Sequence, residues 1–110
     1  MFYFSGEGNV MALTEKNWHI YVGGSLIGTL TPTGSDGQWV TASFAPGDGW
    51  GNFAPWFAQA YAAFQSGDDA GWQNVYSQLA TMKLSIAADD GETHPNPTIH
   101  IDGTNAWIAV

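Results

Sequence analysis

Between residues 18 and 22 the chain reads Trp-His-Ile-Tyr-Val, with Trp18, Ile20 and Val22 alternating against His19 and Tyr21. A period of two places one set of side chains on each face of a β-strand. Gly23-Gly24 follows, and two glycines supply the positive φ values of a tight hairpin turn, so residues 26–30 (Leu-Ile-Gly-Thr-Leu) should pair back. Residues 31–37 (Thr-Pro-Thr-Gly-Ser-Asp-Gly) carry two turn signals and read as a loop. Residues 38–44 read as a further strand with Trp39 or Val40 inward. Upstream, residues 2–4 and 10–13 are expected to form a first hairpin around Gly6 and Gly8.

The period then changes. Phe53, Trp56, Phe57, Ala60, Tyr61 and Phe64 recur at the three- and four-residue spacing of one helix face. Asn52 is the expected N-cap, and Pro55 is tolerated because first-turn amides lack intrahelical partners. Gly67 should end this helix and Asp68 or Asp69 begin the next, whose apolar face is Trp72, Val75, Tyr76, Leu79 and Met82. Strand patterns return at 83–88, 98–102 and 106–110, with Glu92–Pro97 read as a crossing loop. Strands, two helices, strands: that order predicts a single α+β domain over residues 1–110. Its antiparallel sheet should have about five or six strands, with a helical hairpin packed on one face.

Composition sharpens the picture. The chain has 110 residues, 45% hydrophobic and 15% aromatic with six Trp, enough to build a core. It has no Cys, which excludes a disulfide scaffold and a thiolate zinc site. Residues 1–13 show neither a basic leader nor a long apolar run, so the expected setting is the cytoplasm, with no membrane association. Two Lys (Lys16 and Lys83), no Arg and ten acids give a formal net charge of −8. Direct binding to nucleic acid or anionic lipid draws on cations that this chain lacks, whereas a basic protein partner is favoured by its field.

The remaining chemistry is sparse. Gly47, Gly49 and Gly51 precede the first helix in the manner of a phosphate cradle, but the loop carries Asp48 and no base. It therefore reads as a structural turn with Trp50 near the surface. His100 and Asp102 share a strand face, and with His19 or His94 could form a metal site only in an unproven register, so no metal or cofactor is expected. The serines lack a nucleophile motif, and Asp68-Asp69 and Asp89-Asp90 sit in turn contexts, so no enzyme is expected. What remains is a set of loop carboxylates at spacings that could imitate phosphates, and an abundance of Trp.

Residues 28–46 (Gly-Thr-Leu-Thr-Pro through Ala-Pro) and the ending His-Ile-Asp-Gly-Thr-Asn-Ala-Trp-Ile-Ala-Val resemble small bacterial proteins of unknown function. In size, acidity and lack of Cys the chain is also similar to phage anti-CRISPR proteins and bacterial toxin-immunity proteins. That likeness implies a non-enzymatic inhibitor that binds a basic CRISPR effector or nuclease as a nucleic-acid mimic. Asp68, Asp69, Asp89, Asp90 and Glu92 would be its electrostatic contacts and Trp50 its anchor. The alternative is a small-ligand or carbohydrate-binding module using exposed Trp residues, and self-association is left open.

Overall fold

The computed structural model describes residues 13–37 and 39–109. Seven strands form one curled antiparallel sheet, accompanied by two helices. In chain order they are β1 (Trp18–Val22), β2 (Ser25–Asp36), β3 (Trp39–Pro46), α1 (Trp50–Gln65), α2 (Asp69–Thr81), β4 (Leu84–Ala88), β5 (Thr93–Pro95), β6 (Thr98–Asp102) and β7 (Asn105–Ala109). Across the sheet the order is β5-β4-β1-β2-β3-β7-β6, every pairing antiparallel. Seven strands replace the five or six expected from the sequence.

The differences have local causes. β2 runs straight through Thr31–Asp36, which reads as a loop in sequence. Its ladder shifts register between Pro32 and Gly34, so the two residues that look like punctuation lie at a bulge where the chain bends without leaving the sheet. β5 is three residues inside the expected crossing loop, too short to show an alternation. The proposed hairpin of residues 2–4 and 10–13 lies outside the described residues except for Leu13, which is helical with Thr14. The Trp18 indole N–H donates to the Leu13 carbonyl at 2.9 Å, which fastens this segment to β1.

The β1–β2 turn is as the sequence indicates: Gly23 and Gly24 have φ +58° and +87°, and Val22 pairs with Ser25. A second register shift at Ile20/Tyr21 inserts Ile27 into the core and leaves Leu26 exposed. The apolar sets of β1 and β4 meet those of β2 and β3. Trp18, Ile20, Leu30, Val40, Phe44, Ile86, Ile99 and Ile108 are all buried together with Phe57, Ala60, Val75 and Leu79 from the helices. Val40 is the inward residue of its pair, and Trp39 is half-buried on the other face.

α1 starts at Trp50 rather than after Asn52 and has no side-chain cap. Its entry is fixed instead by backbone: Gly47 N–H donates to Ile27 O at 3.0 Å and Gly49 N–H to Leu26 O at 3.1 Å. At Gly49 a Cβ would lie 3.0 Å from Leu26 O, so close approach of two backbones is what glycine provides here. These two amides are engaged by β2 carbonyls, so the glycines serve a turn that docks the start of α1 on the sheet. At the far end Gly67 N–H bonds Phe64 O at 3.3 Å and Asp68 N–H bonds Ala63 O at 2.9 Å, the paired arrangement that closes a helix on a left-handed glycine, here at φ +80°. Asp68 then caps α2 by accepting from Gly71 N–H at 3.0 Å.

One buried glycine tests this packing. A Cβ at Gly28 would lie 2.7 Å from Phe44 Cζ and 2.9 Å from Ala45 O. Gly28→Ala should destabilise the fold by about 2 kcal/mol by overpacking, read as a lowered urea midpoint. Adding Phe44→Leu should recover part of the loss, and full tolerance of Gly28→Ala alone would contradict the packing.

Candidate functional site

Strand register decides where the charges go. Trp18 lies beside both Ala88 and Leu30, while Val22 lies beside Leu84 and Ser25. β2 continues past Leu30 to Asp36, opposite Trp39. The β4–β5 turn with Asp89, Asp90 and Glu92 and the β2–β3 turn with Asp36 therefore leave the same end of the strands. α1 begins with Trp50 against Phe44, ring centroids 4.7 Å apart, and brings Phe64 to Trp39 at 5.9 Å. It thus runs toward that same end, where the α1–α2 turn presents Asp68 and Asp69. Six carboxylates from three turns separated in sequence are thus directed toward one end of the strands, and Lys16 accompanies those of the β4–β5 turn. The opposite end carries Asp48, Asp102 and Lys83 in its turns.

The five acids singled out in the sequence are all at the acidic end, and each also has a local partner. Asp68 is the α2 cap, and Asp69 accepts from the Trp72 indole N–H at 3.2 Å. Asp89 lies 2.7 Å from one ring nitrogen of His19, whose other nitrogen is 3.2 Å from the Thr29 hydroxyl. Lys16 pairs with Asp90 at 2.7 Å and with Glu92, and Glu92 also meets His94 at 2.7 Å. Hydrogen bonds from Lys16 hold the Asp90 and Glu92 carboxyls below their usual range, and those to Asp90 and Glu92 raise Lys16. These groups are largely solvated, so the pairs orient the turn more than they stabilise the fold.

Trp50 lines a cleft at the surface beside α1. It is half-buried, packed on Phe44 and Phe57 at 4.7 and 5.5 Å, because it opens α1 rather than dangling from a glycine loop. It also stands at the end opposite the acidic turns. The other tryptophans are likewise enclosed, with Trp18 fully buried and Trp39, Trp56, Trp72 and Trp107 half-buried. The large aromatic side chain left exposed among the described residues is Phe64, at 36%. It lies in the last turn of α1, four residues before Asp68.

Beneath Phe64 is the residue the sequence disguises. His100 alternates with Ile99 and Ile101 and so faces away from the strand side that joins the main core. Yet its exposure is 0%, because the C-terminal half of α1 and the start of α2 wrap round the edge strand β6. Phe64 stacks on the imidazole at 4.0 Å and 20°. Trp39, Trp72 and Tyr76 surround it at 5.2, 5.2 and 5.8 Å, the last two nearly perpendicular. Neither ring nitrogen has a hydrogen-bond partner among the described residues. Burial lowers the His100 pKa to about 4. Tyr76 spends its hydroxyl on the Ile99 carbonyl, which covers part of the β6 edge, and burial pushes that phenol up.

The metal alternative does not assemble. β1 and β6 are separated by β2, β3 and β7, and His94 is on β5 at the other edge. No group of three or more metal-ligating side chains occurs among the described residues. A shallow cleft of about 460 Å³ runs between α1 and the β6–β7 turn, with Trp50, Tyr61, Gln65 and Asp102 among its lining. Tyr61 stacks on Trp107 at 5.7 Å and 8°, and its hydroxyl accepts from the Gln65 amide at 2.9 Å. Desolvation first, then the Asp102 carboxylate, raise the Tyr61 pKa.

Among known proteins, no family model, no curated protein and no solved structure matches this chain. No helix among the described residues is long and apolar enough to cross a membrane.

His100 sets a pH dependence whose sign follows from linkage. The unfolded imidazole takes up its proton near pH 6.5 and the folded one near pH 4. Stability is therefore full above pH 6.5 and falls between pH 6.5 and 4, by roughly 3 kcal/mol if this group acts alone. Chemical denaturation at stepped pH should show that decline, and His100→Phe should flatten it. The depressed Asp90 and Glu92 carboxyls act lower, their contribution being lost as pH falls through the acid carboxylate range. An unchanged slope between pH 6.5 and 4 in His100→Phe would contradict the assignment.

Proposed function

We propose that the protein is a non-enzymatic inhibitor that binds the basic, nucleic-acid-binding surface of a partner protein through its acidic end. What supports the reading is that strand register and the direction of α1 send the turns bearing Asp36, Asp68, Asp69, Asp89, Asp90 and Glu92 toward one end of the strands. Carboxylates on three rigidly based turns imitate a patch of phosphates better than a flexible acidic tail would, because their positions are paid for in folding. A field of one sign steers encounter with a cationic surface and falls off over a Debye length of about 8 Å at physiological salt. Phe64, exposed in the last turn of α1 four residues before Asp68, supplies apolar surface beside the Asp68–Asp69 turn. A CRISPR effector or nuclease is the kind of basic partner that fits.

The test uses the folded protein as immobilised bait beside a variant carrying Asp68→Lys, Asp89→Lys and Glu92→Lys. A retained partner should be basic, be displaced by DNA or heparin, lose affinity at least tenfold between 50 and 300 mM salt, and be lost from the triple variant. A partner held equally by both proteins and indifferent to salt would overturn the reading.

The α1–β6/β7 cleft favours a second reading, a carbohydrate-binding module. An aromatic face at Trp50 beside the Tyr61 hydroxyl, the Gln65 amide and the Asp102 carboxylate is the mixture that sugar rings use. Saturable quenching of Trp fluorescence by one mono- or oligosaccharide, abolished by Asp102→Ala, would establish it. A flat response across a sugar panel would remove it.

A further inference from the structure

We propose that the aromatic box under Phe64 is a slot for a planar cation, in which the guanidinium of a partner's arginine takes the place of the Phe64 ring on His100. The inference rests on the reading of the acidic end as a surface for a basic partner, and it names the group that would be recognised there.

Four observations converge. Phe64 is an aromatic side chain at 36% exposure in the last turn of α1, so one side of its ring is open to solvent. It lies flat on the imidazole at 4.0 Å, and withdrawing it would leave a gap one ring thick over the His100 face. The side walls are Trp39 and Trp72, both 5.2 Å from His100. Beside the slot stands Asp69, whose carboxylate accepts from the Trp72 indole N–H at 3.2 Å.

His100 supplies the independent indication. A neutral imidazole fully enclosed by rings, with two polar atoms lacking hydrogen-bond partners among the described residues, is an expensive way to fill a core. Phenylalanine would fill the same space without that cost. A guanidinium carries a flat π surface, five N–H donors and weak hydration. It can stack on rings, donate to an imidazole lone pair and pair with a carboxylate. An ammonium is compact and strongly hydrated and makes poor use of a slot one ring thick. The chain itself contains no arginine, so nothing internal competes for the place.

The experiment is a titration of the intact protein, ¹⁵N-labelled, with N-acetyl-arginine amide and, separately, N-acetyl-lysine amide at low salt and pH 7.5. The His100 side-chain nitrogens and the Trp39 and Trp72 indole signals are followed by NMR. The arginine probe should shift all of these and bind at least fivefold tighter than the lysine probe. Phe64→Ala should tighten arginine binding at least fivefold by opening the slot, and His100→Phe should abolish the preference for arginine. Equal, weak responses to both probes in the wild type and in Phe64→Ala, with His100 unmoved, would overturn the proposal. So would an arginine preference that survives in His100→Phe. If a basic partner binds the acidic end with salt dependence while the His100 and Trp72 signals stay still, the slot is refuted and the acidic-end reading stands.

Discussion

The antiparallel ladder between β2 and β3 is the constraint on which the rest of the molecule hangs. β2 is twelve residues long, and its two halves serve different neighbours. The first half pairs with β1, which carries β4 and β5. The second half faces the part of β3 that pairs with β7 and so carries β6. Because the sheet twists and bends at two irregularities in this strand, it curls and leaves an apolar concave side that must be covered. The chain between β3 and β4 is the helical pair, and it covers that side with Phe57, Ala60, Val75 and Leu79.

From that single arrangement both features of the candidate site follow. α1 has to start beside the last residues of β3 and travel back past it, so its last turn arrives at Trp39, where β2 turns into β3. Three turns rich in Asp are brought to one end because turns are where Asp is useful for capping and tight reversals. The same travel takes α1 past the edge strand β6, and the aromatic residues of its last two turns reach round to His100 and Trp107. Covering an exposed edge and enclosing a histidine are thus one event. The acidic turns and the aromatic box are neighbours by construction.

Much of the fold was legible in the chain. The alternation at 18–22, the Gly23-Gly24 turn, the helical stripe ending at Gly67 and the Asp68 cap are each local signals backed by local physics. The extension of β2 was hidden because Pro32 and Gly34 mark loops far more often than bulges, and the difference lies in the partner strand. The start of α1 was hidden because the chain entering it is anchored to the Ile27 and Leu26 carbonyls, more than twenty residues before Trp50. For the site, the acidic residues could be picked out by charge, but their assembly at one end depends on register, which no window of sequence contains. His100 reads as a solvent-facing strand residue between two isoleucines. Only the path of α1 reveals that its side is covered. The aromatic share of the two helical stripes, Tyr61, Phe64, Trp72 and Tyr76 among them, was the one hint available.

The central claim is that the fold concentrates negative potential at the end formed by the turns at 36–37, 66–69 and 89–92. Paramagnetic broadening of backbone amides by a cationic and by an anionic nitroxide of the same size measures that potential residue by residue. The account predicts that amides in those three turns are broadened severalfold more by the cationic probe, while those at 23–24, 47–49 and 103–104 show a much smaller difference. An even ratio over both ends of the strands would contradict it.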